Sequence, residues 1–440
     1  MARLHPELEH QLSAIAPEMK RRLDETGFDR ARFLDLASSL TDLAPSLTEL
    51  APPEGAPDAA ATAGAQRPES SRAVSGAGVS GAEPPTLRAG VSGAEPPTLR
   101  ARNAVKGEVR APEPSALVKL PPSGSPEHDR LRALGAAALE RGELAFCTMA
   151  GGMATRMGGI VKALAEVTRD ANGAHTFLSM RLAENATASA RAGRPIPLWL
   201  MTSEATHDGL VAALAKADAP PHVACFRQDL SLRLEPSGAL FYGDDGAPSP
   251  HATGHGDLVD ALRRSGLLDA FLANGGKYVW ITNVDNLGAS IDEAELGFFV
   301  EAAGKGIDVL CEVCPKAGDK GGIPVFAEGK TQVLEEFRLP PGFDPSTVDV
   351  FNTNTFLVRA EPLAKAKLVW TYFEVEKTVD GRTAIQFERL IQELTAHLPS
   401  IFLVVPRDGI AARFLPVKDH DELARRRADI EAVARARGMM

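Results

Sequence analysis

The chain has 440 residues, 44% of them hydrophobic, enough for one large or two ordinary domains with a filled core. A net charge of -10 and a pI near 5.6 exclude the clustered excess of Lys and Arg that marks a nucleic-acid binder, although a few aimed donors are enough to hold an anion locally. Four cysteines, of which only Cys311 and Cys314 lie close together, exclude a disulfide framework, and no run approaches ~20 apolar residues. MARLHPELEHQ holds no signal-peptide core, so the expectation is a cytoplasmic protein with no membrane partner.

Residues 1–50 carry leucines at helical spacing, as in FLDLASSLTDLAPSLTEL, and predict a helical N-terminal region. Pro, Gly and Ala dominate residues 51–126, where the segment AGVSGAEPPTLR occurs twice in tandem, at 77–88 and 89–100. Such a stretch buries too little to offset its ordering entropy and predicts a disordered linker. From 127 to 418 the pattern is that of one α/β domain. Buried strands are predicted at LAFCTMA (144–150), PIPLWLMTS (195–203), HVACFRQ (222–228), KYVWITNVD (277–285), IDVLCEVCP (307–315) and SIFLVVP (400–406). Helices are predicted between them at TFLSMRLAENATASARAG, GLVAALAKAD, GDLVDALRRSGLLDAFLANGG and DEAELGFFVEAAGKG. The alternation predicts a Rossmann-like, mostly parallel sheet with helices on both faces, with any ligand beyond the carboxyl ends of the strands. Residues 419–440 predict a C-terminal helix starting near Asp421, with acidic and basic side chains that nearly cancel.

Two stretches carry chemistry. GGMATRMGGIVK (151–162) follows the first strand, and glycines after a strand let backbone N–H groups face an anion, with Arg156 able to fork two phosphate oxygens and Lys162 adding a point charge. The segment lacks GK[ST] and GxGxxG, which argues against a Walker loop and a dinucleotide fingerprint, and by itself it is equally compatible with an exposed glycine loop. WITNVDNLGASID puts Asp285, with Asn283 and Asn286, where a strand meets a Leu-Gly turn at the rim of the predicted crevice. A carboxylate there suits Mg²⁺ held against phosphate oxygens; it suits equally an Asp capping the helix that begins near Asp292.

Together with segments further along, these stretches resemble the UDP-sugar pyrophosphorylase family, specifically the eukaryotic-type UTP–glucose-1-phosphate uridylyltransferases. GGMATRMGGIVK is similar to the family's nucleotide loop, MTSEAT (201–206) to its Met-Asn-Ser segment, and FRQ (226–228) to its Phe-x-Gln. GHGD (254–257), NVDNLGA (283–289), DKGG (319–322), FNTN (351–354), EKTVDG (376–381), QFE (386–388) and RFLPVK (413–418) follow in the family's order. The resemblance implies a nucleotidyltransferase domain over 127–418 that moves uridylyl from UTP to glucose-1-phosphate with Mg²⁺, releasing pyrophosphate. It implies Gly151, Gly152, Thr155, Arg156 and Lys162 around the triphosphate, and Gln228 and Gly254 at the uracil. His255, Asn283, Asp285 and Lys377 are implied near the reacting phosphates, with Asp285 on the metal and Lys377 contributing most to rate. Asn283, Gly322, Glu335, Asn352 and Asn354 make the implied sugar-binding set.

Three departures stand out. Ala154 occupies a loop position where the family has glycine, and QFERLIQEL puts bulky residues where the family has small ones. Only 22 residues follow RFLPVK, so the family's C-terminal left-handed β-helix, and oligomerisation through it, are expected to be missing, leaving a monomer or small oligomer. The alternatives to glucose-1-phosphate transfer are a pyrophosphorylase for another sugar-1-phosphate, such as N-acetylglucosamine-1-phosphate, or a nucleotide-sugar-binding protein of weak activity on the same scaffold. Retention of Lys162, Asp285 and Lys377 favours an enzyme.

Overall fold

The structure is a computed structural model that describes residues 5–41, 104–154, 158–171, 173–319, 321–417 and 419–440. Its centre is an eight-stranded sheet built from β1 (Leu117–Val118), β2 (Leu144–Met149), β3 (Leu198–Thr202), β4 (Val223–Arg227), β5 (Tyr278–Asn283), β6 (Val309–Pro315), β7 (Val350–Arg359) and β8 (Ser400–Val404). The spatial order is β1-β8-β6-β7-β5-β2-β3-β4. All neighbours are parallel except β7, which runs against both β5 and β6. Every residue of β2 and of β3 is buried, because helices cover both faces of the sheet, and this is why those strands read as unbroken apolar runs.

The helices form where the periodicity places them. Around the N-terminal helices α1 (His5–Ala14), α2 (Pro17–Glu25) and α3 (Arg30–Thr41) lies a separate core, described below. α4 (Pro126–Glu140) is capped by Ser125, whose Oγ accepts the His128 N–H at 3.2 Å. α5 (Phe177–Ala192) opens with a reciprocal Thr176–Ser179 capping box and stops at Gly193, which takes the left-handed φ of 66° that ends helices. α6 spans Glu204–Lys216. The single helix expected over 256–276 is instead two, α7 (Leu258–Arg264) and α8 (Leu267–Ala273), broken at Gly266 with φ 75°. α9 (Glu293–Gly304) is capped by Asp292, which accepts the Glu295 N–H at 2.9 Å. α10 (His420–Ala436) follows Asp419, its cap. Among the described residues no helix is long and apolar enough to cross a membrane.

The boundary expected at 126 moves toward the N-terminus. Residues 104–126 belong to the folded unit: Val105 is buried and its N–H donates to the Arg338 carbonyl at 2.9 Å, Val109–Arg110 pairs with Ala327–Phe326, and β1 is the edge strand beside β8. Two-residue strands are too short to show a period, and the proline content of the window hid them. The tandem repeat lies outside the described residues.

The second core joins the N-terminal helices to the rim of the domain. Leu8, Leu12, Ile15, Leu23, Phe33 and Leu34 pack with Leu230, Leu232, Leu234, Leu240, Ile385 and Phe387. The latter residues come from the pair Leu230–Leu232/Pro250–Ala252, the chain between those two strands, and the hairpin Phe373–Val379/Arg382–Glu388. The contact is polar at its edges: Leu240 N–H donates to Gln11 Oε1 at 3.1 Å and Leu230 N–H to the Thr26 carbonyl at 3.2 Å.

Candidate active site

From β2 the chain moves outward through β3 and β4, then returns to β5 on the other side of β2. The crevice between β2 and β5 is therefore the point where strand order reverses, and both signature loops leave from it. In the first, Met153–Ala154 pairs with Ile160–Val161, and the Lys162 N–H donates to the Gly152 carbonyl at 3.1 Å, so the two ends of the glycine segment are tied to each other. Ala154 lies extended and 4% exposed within that segment and is not among the residues with positive φ. The methyl group in place of the family's glycine thus imposes no backbone strain. Thr155 and Arg156 fall outside the described residues.

Lys162 reaches across the crevice and ion-pairs with Asp285, both side chains about one-fifth exposed. Asp285 caps no helix, since Asp292 fills that role. Among the described residues no three His, Cys, Asp or Glu side chains converge as a preformed metal cage. A divalent ion at Asp285 would complete its shell with phosphate oxygens and water, the donor set that suits Mg²⁺.

One wall of the crevice gathers Gly151, Gln228, Gly254 and His255. The Gln228 N–H donates to the Thr202 carbonyl at 2.9 Å at the end of β3, and its Oε1 lies so close to Gly151 that any Cβ there would collide with it. Gly152 faces open space, leaving room for a ligand beside the loop. Gln228 Nε2 is 3.5 Å from the Gly254 carbonyl, and Gly254, at φ 91°, presses on the Arg389 carbonyl where only glycine fits. His255 Nδ1 accepts the Ile391 N–H at 3.0 Å, and burial lowers its pKa to about 4, so the ring is neutral with its proton on Nε2.

The opposite wall gathers the five residues assigned to the sugar. Asn354 Nδ2 donates to Asn283 Oδ1 at 3.3 Å, the Asn354 N–H to Asn352 Oδ1 at 2.9 Å, and the Asn352 N–H to the Gly322 carbonyl at 2.8 Å. Asn354 has the left-handed φ of 60°, which asparagine tolerates better than other side chains, and its Oδ1 is buried without a partner. Glu335 lies against Gly322, and burial pushes its pKa up to about 7. Because Asn283 leaves β5 two residues before Asp285, this wall is continuous with the Lys162–Asp285 pair.

Lys377 is placed differently. It sits opposite Ala384 in the hairpin Phe373–Val379/Arg382–Glu388, and its Nζ is 3.9 Å from Glu388 Oε1. No hydrogen bond or ion pair joins it to Lys162 or Asp285 among the described residues. It adjoins the first wall instead, since the Glu388 Cβ would lie 3.3 Å from a Cβ on Gly254.

Several residues that hold the site escaped the sequence reading, and Asn286 and Arg413, named there, hold it in a way the sequence did not show. Arg181, fully buried on α5, donates from Nη1 to the Ala289 carbonyl at 2.6 Å and from Nη2 to the Asn286 carbonyl, while Glu184 Oε2 receives Nη1 at 2.6 Å. Glu184 Oε1 in turn accepts the Ile291 N–H at 3.0 Å, so one helical turn clamps the loop that bears Asp285. Asn286 stitches that loop to the RFLPVK segment, its Nδ2 donating to the Arg413 carbonyl at 3.1 Å and its Oδ1 accepting the Leu415 N–H at 2.8 Å. Arg413 pairs with Glu295 at 3.2 Å and Glu312 at 2.5 Å, and burial raises the Glu295 pKa well above the ordinary carboxylate range against that pairing. Arg389 binds Asp229, Asp257 (2.7 Å) and Asp260 (2.6 Å) and so fixes the Gly254–Asp257 turn. The one available signal was polar residues on an apolar stripe: Arg181 and Asn185 fall in line with Leu178 and Ala188.

A doubly wound sheet with a glycine segment and a lysine–carboxylate pair at its switch point defines the class as a Rossmann-like α/β protein with a charged crevice. Residues 116–436 match the profile of the family described as UTP--glucose-1-phosphate uridylyltransferase, and the chain belongs to that family. It is similar to the UTP--glucose-1-phosphate uridylyltransferase of Solanum tuberosum, 32% identical over 305 residues covering 66% of this chain and 62% of that protein. The Musa acuminata protein of the same name is 31% identical over 308 residues, covering 66% and 63%. The chain thus spans a little over three-fifths of the length of these relatives. Among solved structures, it resembles a UDP-glucose pyrophosphorylase variant from Leishmania major (TM-score 0.59, 22% identity, 73% of this chain and 71% of that one). It also resembles the uridine diphosphate N-acetylglucosamine pyrophosphorylase from Trypanosoma brucei (TM-score 0.60, 20% identity, 72% of each chain). These two likenesses establish the fold.

Proposed function

We propose that the protein transfers uridylyl from UTP to glucose-1-phosphate, giving UDP-glucose and pyrophosphate. The observation that carries this reading is the Lys162–Asp285 pair at the β2/β5 switch point, flanked on one side by Gly151, Gln228 and Gly254 and on the other by Asn283, Asn352, Asn354 and Glu335. A phosphate chain laid along the crevice between the two walls meets cationic and metal-holding groups midway. Glucose-1-phosphate is favoured over N-acetylglucosamine-1-phosphate by the family and by the names of the relatives nearest 30% identity.

In the reaction, an oxygen of the sugar phosphate forms a bond to the α-phosphorus of UTP while the bond from that phosphorus to the bridging oxygen breaks, and the electron pair leaves with pyrophosphate. The protein's part is alignment and neutralisation of charge. Lys162 would move from Asp285 to the phosphates, and the backbone around Gly152 would face them. The neutral His255 offers an N–H donor rather than a proton acceptor at Nδ1, which Ile391 occupies. Asp285 would hold Mg²⁺, which when bound withdraws negative charge from the triphosphate oxygens. Lys377 is assigned to the leaving phosphates only through movement of its hairpin toward the crevice. The experiment is a coupled pyrophosphate-release assay over UTP and a panel of sugar-1-phosphates with added Mg²⁺; release with glucose-1-phosphate above the others is expected. UTP binding without release from any sugar phosphate would overturn the assignment in favour of a binding protein.

A further inference from the structure

The segment 389–392 touches both walls of the crevice within four residues. The Arg389 carbonyl accepts the Gly256 N–H at 2.9 Å, the Ile391 N–H donates to His255 Nδ1 at 3.0 Å, and Gln392 Nε2 donates to Glu335 Oε1. Gln392 is 3% exposed and belongs to a short 3-10 turn, Ile391–Glu393, whose ends are tied down. Glu393 there pairs with Arg338 at 2.9 Å and accepts the Thr371 N–H at 2.9 Å. The turn therefore holds the Gln392 amide in one place.

Glu335 Oε1 is also the carboxylate oxygen that faces Gly322, whose backbone N–H favours the charged form. Oε1 is thus held by the protein, while Oε2 takes no side-chain hydrogen bond among the described residues. Gln392 Oε1 is itself buried without a partner, an arrangement that a purely structural amide rarely shows. Resting on the sugar assignment above, we propose that Gln392 is a specificity-determining positioning residue, which pins one oxygen of Glu335 so that the other is presented to a hydroxyl of the incoming sugar phosphate. A small side chain at 392 would leave Glu335 free to turn and would widen the sugar wall.

A protonation signature accompanies this arrangement. Burial pushes the Glu335 carboxyl up to about 7, and the Gly322 N–H opposes that shift. The Gln392 amide acts in the same direction as the Gly322 N–H, because it bonds the charged form. Without Gln392 the carboxyl holds its proton to higher pH and no longer accepts from the sugar.

The test compares wild type with Gln392→Met, which keeps the length and removes the donor, and Gln392→Ala. At about pH 7 the KM for glucose-1-phosphate is expected to rise about tenfold in both variants, with kcat and the KM for UTP within about twofold. The excess should shrink as pH is raised to about 8.5, where Glu335 ionises without help. Parallel rises in both KM values, or a sugar KM that is unchanged or independent of pH, overturn the proposal and leave uridylyl transfer standing. Absence of pyrophosphate release by the wild-type chain with every sugar phosphate overturns both.

Discussion

Lys162 Nζ donates to Asp285 Oδ2, joining residues 123 positions apart on the segments that follow two adjacent parallel strands. The pair sets a cation and an anion beside each other, so a metal ion at Asp285 would have to compete with Lys162. Lys162→Ala is expected to lower kcat by about 10² to 10³, the scale of losing one aimed donor to a developing negative charge. The same substitution frees the carboxylate and should tighten Mn²⁺ binding measured by electron paramagnetic resonance. A Mn²⁺ affinity equal to that of wild type would show that the ion pair does not govern access to Asp285.

Glu335 makes a pH-dependent contribution whose sign can be worked out. Its pKa is raised by burial from an ordinary 4.5 to about 7, so the folded state binds more protons than the unfolded state between those values. Stability contributed by this group is therefore present at low pH and falls as pH rises through about 7, by roughly 3 kcal/mol at most. Glu335→Gln should raise the melting temperature at about pH 8 and lose that advantage at about pH 4.5, while weakening sugar binding at both. Thermal scans at the two pH values decide it; a gain of equal size at both would refute the buried-carboxyl explanation.

Arg181 and Glu184 predict a stability effect with a local signature. Removing the guanidinium strands the buried Glu184 and the carbonyls of Asn286 and Ala289, and breaking a buried pair of this kind costs about 3–5 kcal/mol. Arg181→Met should therefore shift the urea midpoint sharply, and Arg181→Met with Glu184→Gln should recover part of the loss. Hydrogen exchange should accelerate first at residues 284–291. Uniform acceleration across the sheet instead would deny the clamp a local role.

His255 is expected to stay out of the pH profile. With Nδ1 accepting the Ile391 N–H and the pKa lowered to about 4 by burial, the ring remains neutral above about pH 5. Long-range ¹H–¹⁵N correlation spectra should show one protonated Nε2 unchanged from about pH 5.5 to 8. Titration of that signal near 6.5 would remove the argument that His255 is a fixed donor.

What could be read from the sequence follows from how local each signal is. β2, β3 and β5 are mostly apolar and buried because both faces are covered, and their runs announced them. β1 has two residues and no period, and residues 104–126 were lost in a proline-rich average. Gly151, Gln228, Gly254, Asn283, Asn352 and Asn354 were legible as ordered short motifs, and the structure gathers them on two facing walls. Lys377 was legible as a residue but not as a position, since only the pairing of its hairpin shows that it rests near Glu388. Arg181, Arg389 and Gln392 were illegible as site residues: each works by reaching segments about 60 to 160 positions away, a relation that no local pattern encodes.

The reversed strand β7 has a consequence for the sugar side of the crevice. In an all-parallel sheet the rim at which strands finish must be furnished by the loops that leave it. Because β7 runs the other way, it begins at that rim, and Asn352 is carried there on backbone paired with Val313 of β6, with Asn354 in the irregularity that follows it. The Asn352 amide on the proposed sugar wall is therefore mounted on a girder rather than a hinge, so a change of sugar preference at that position should come from side-chain substitution, with the strand staying where it is.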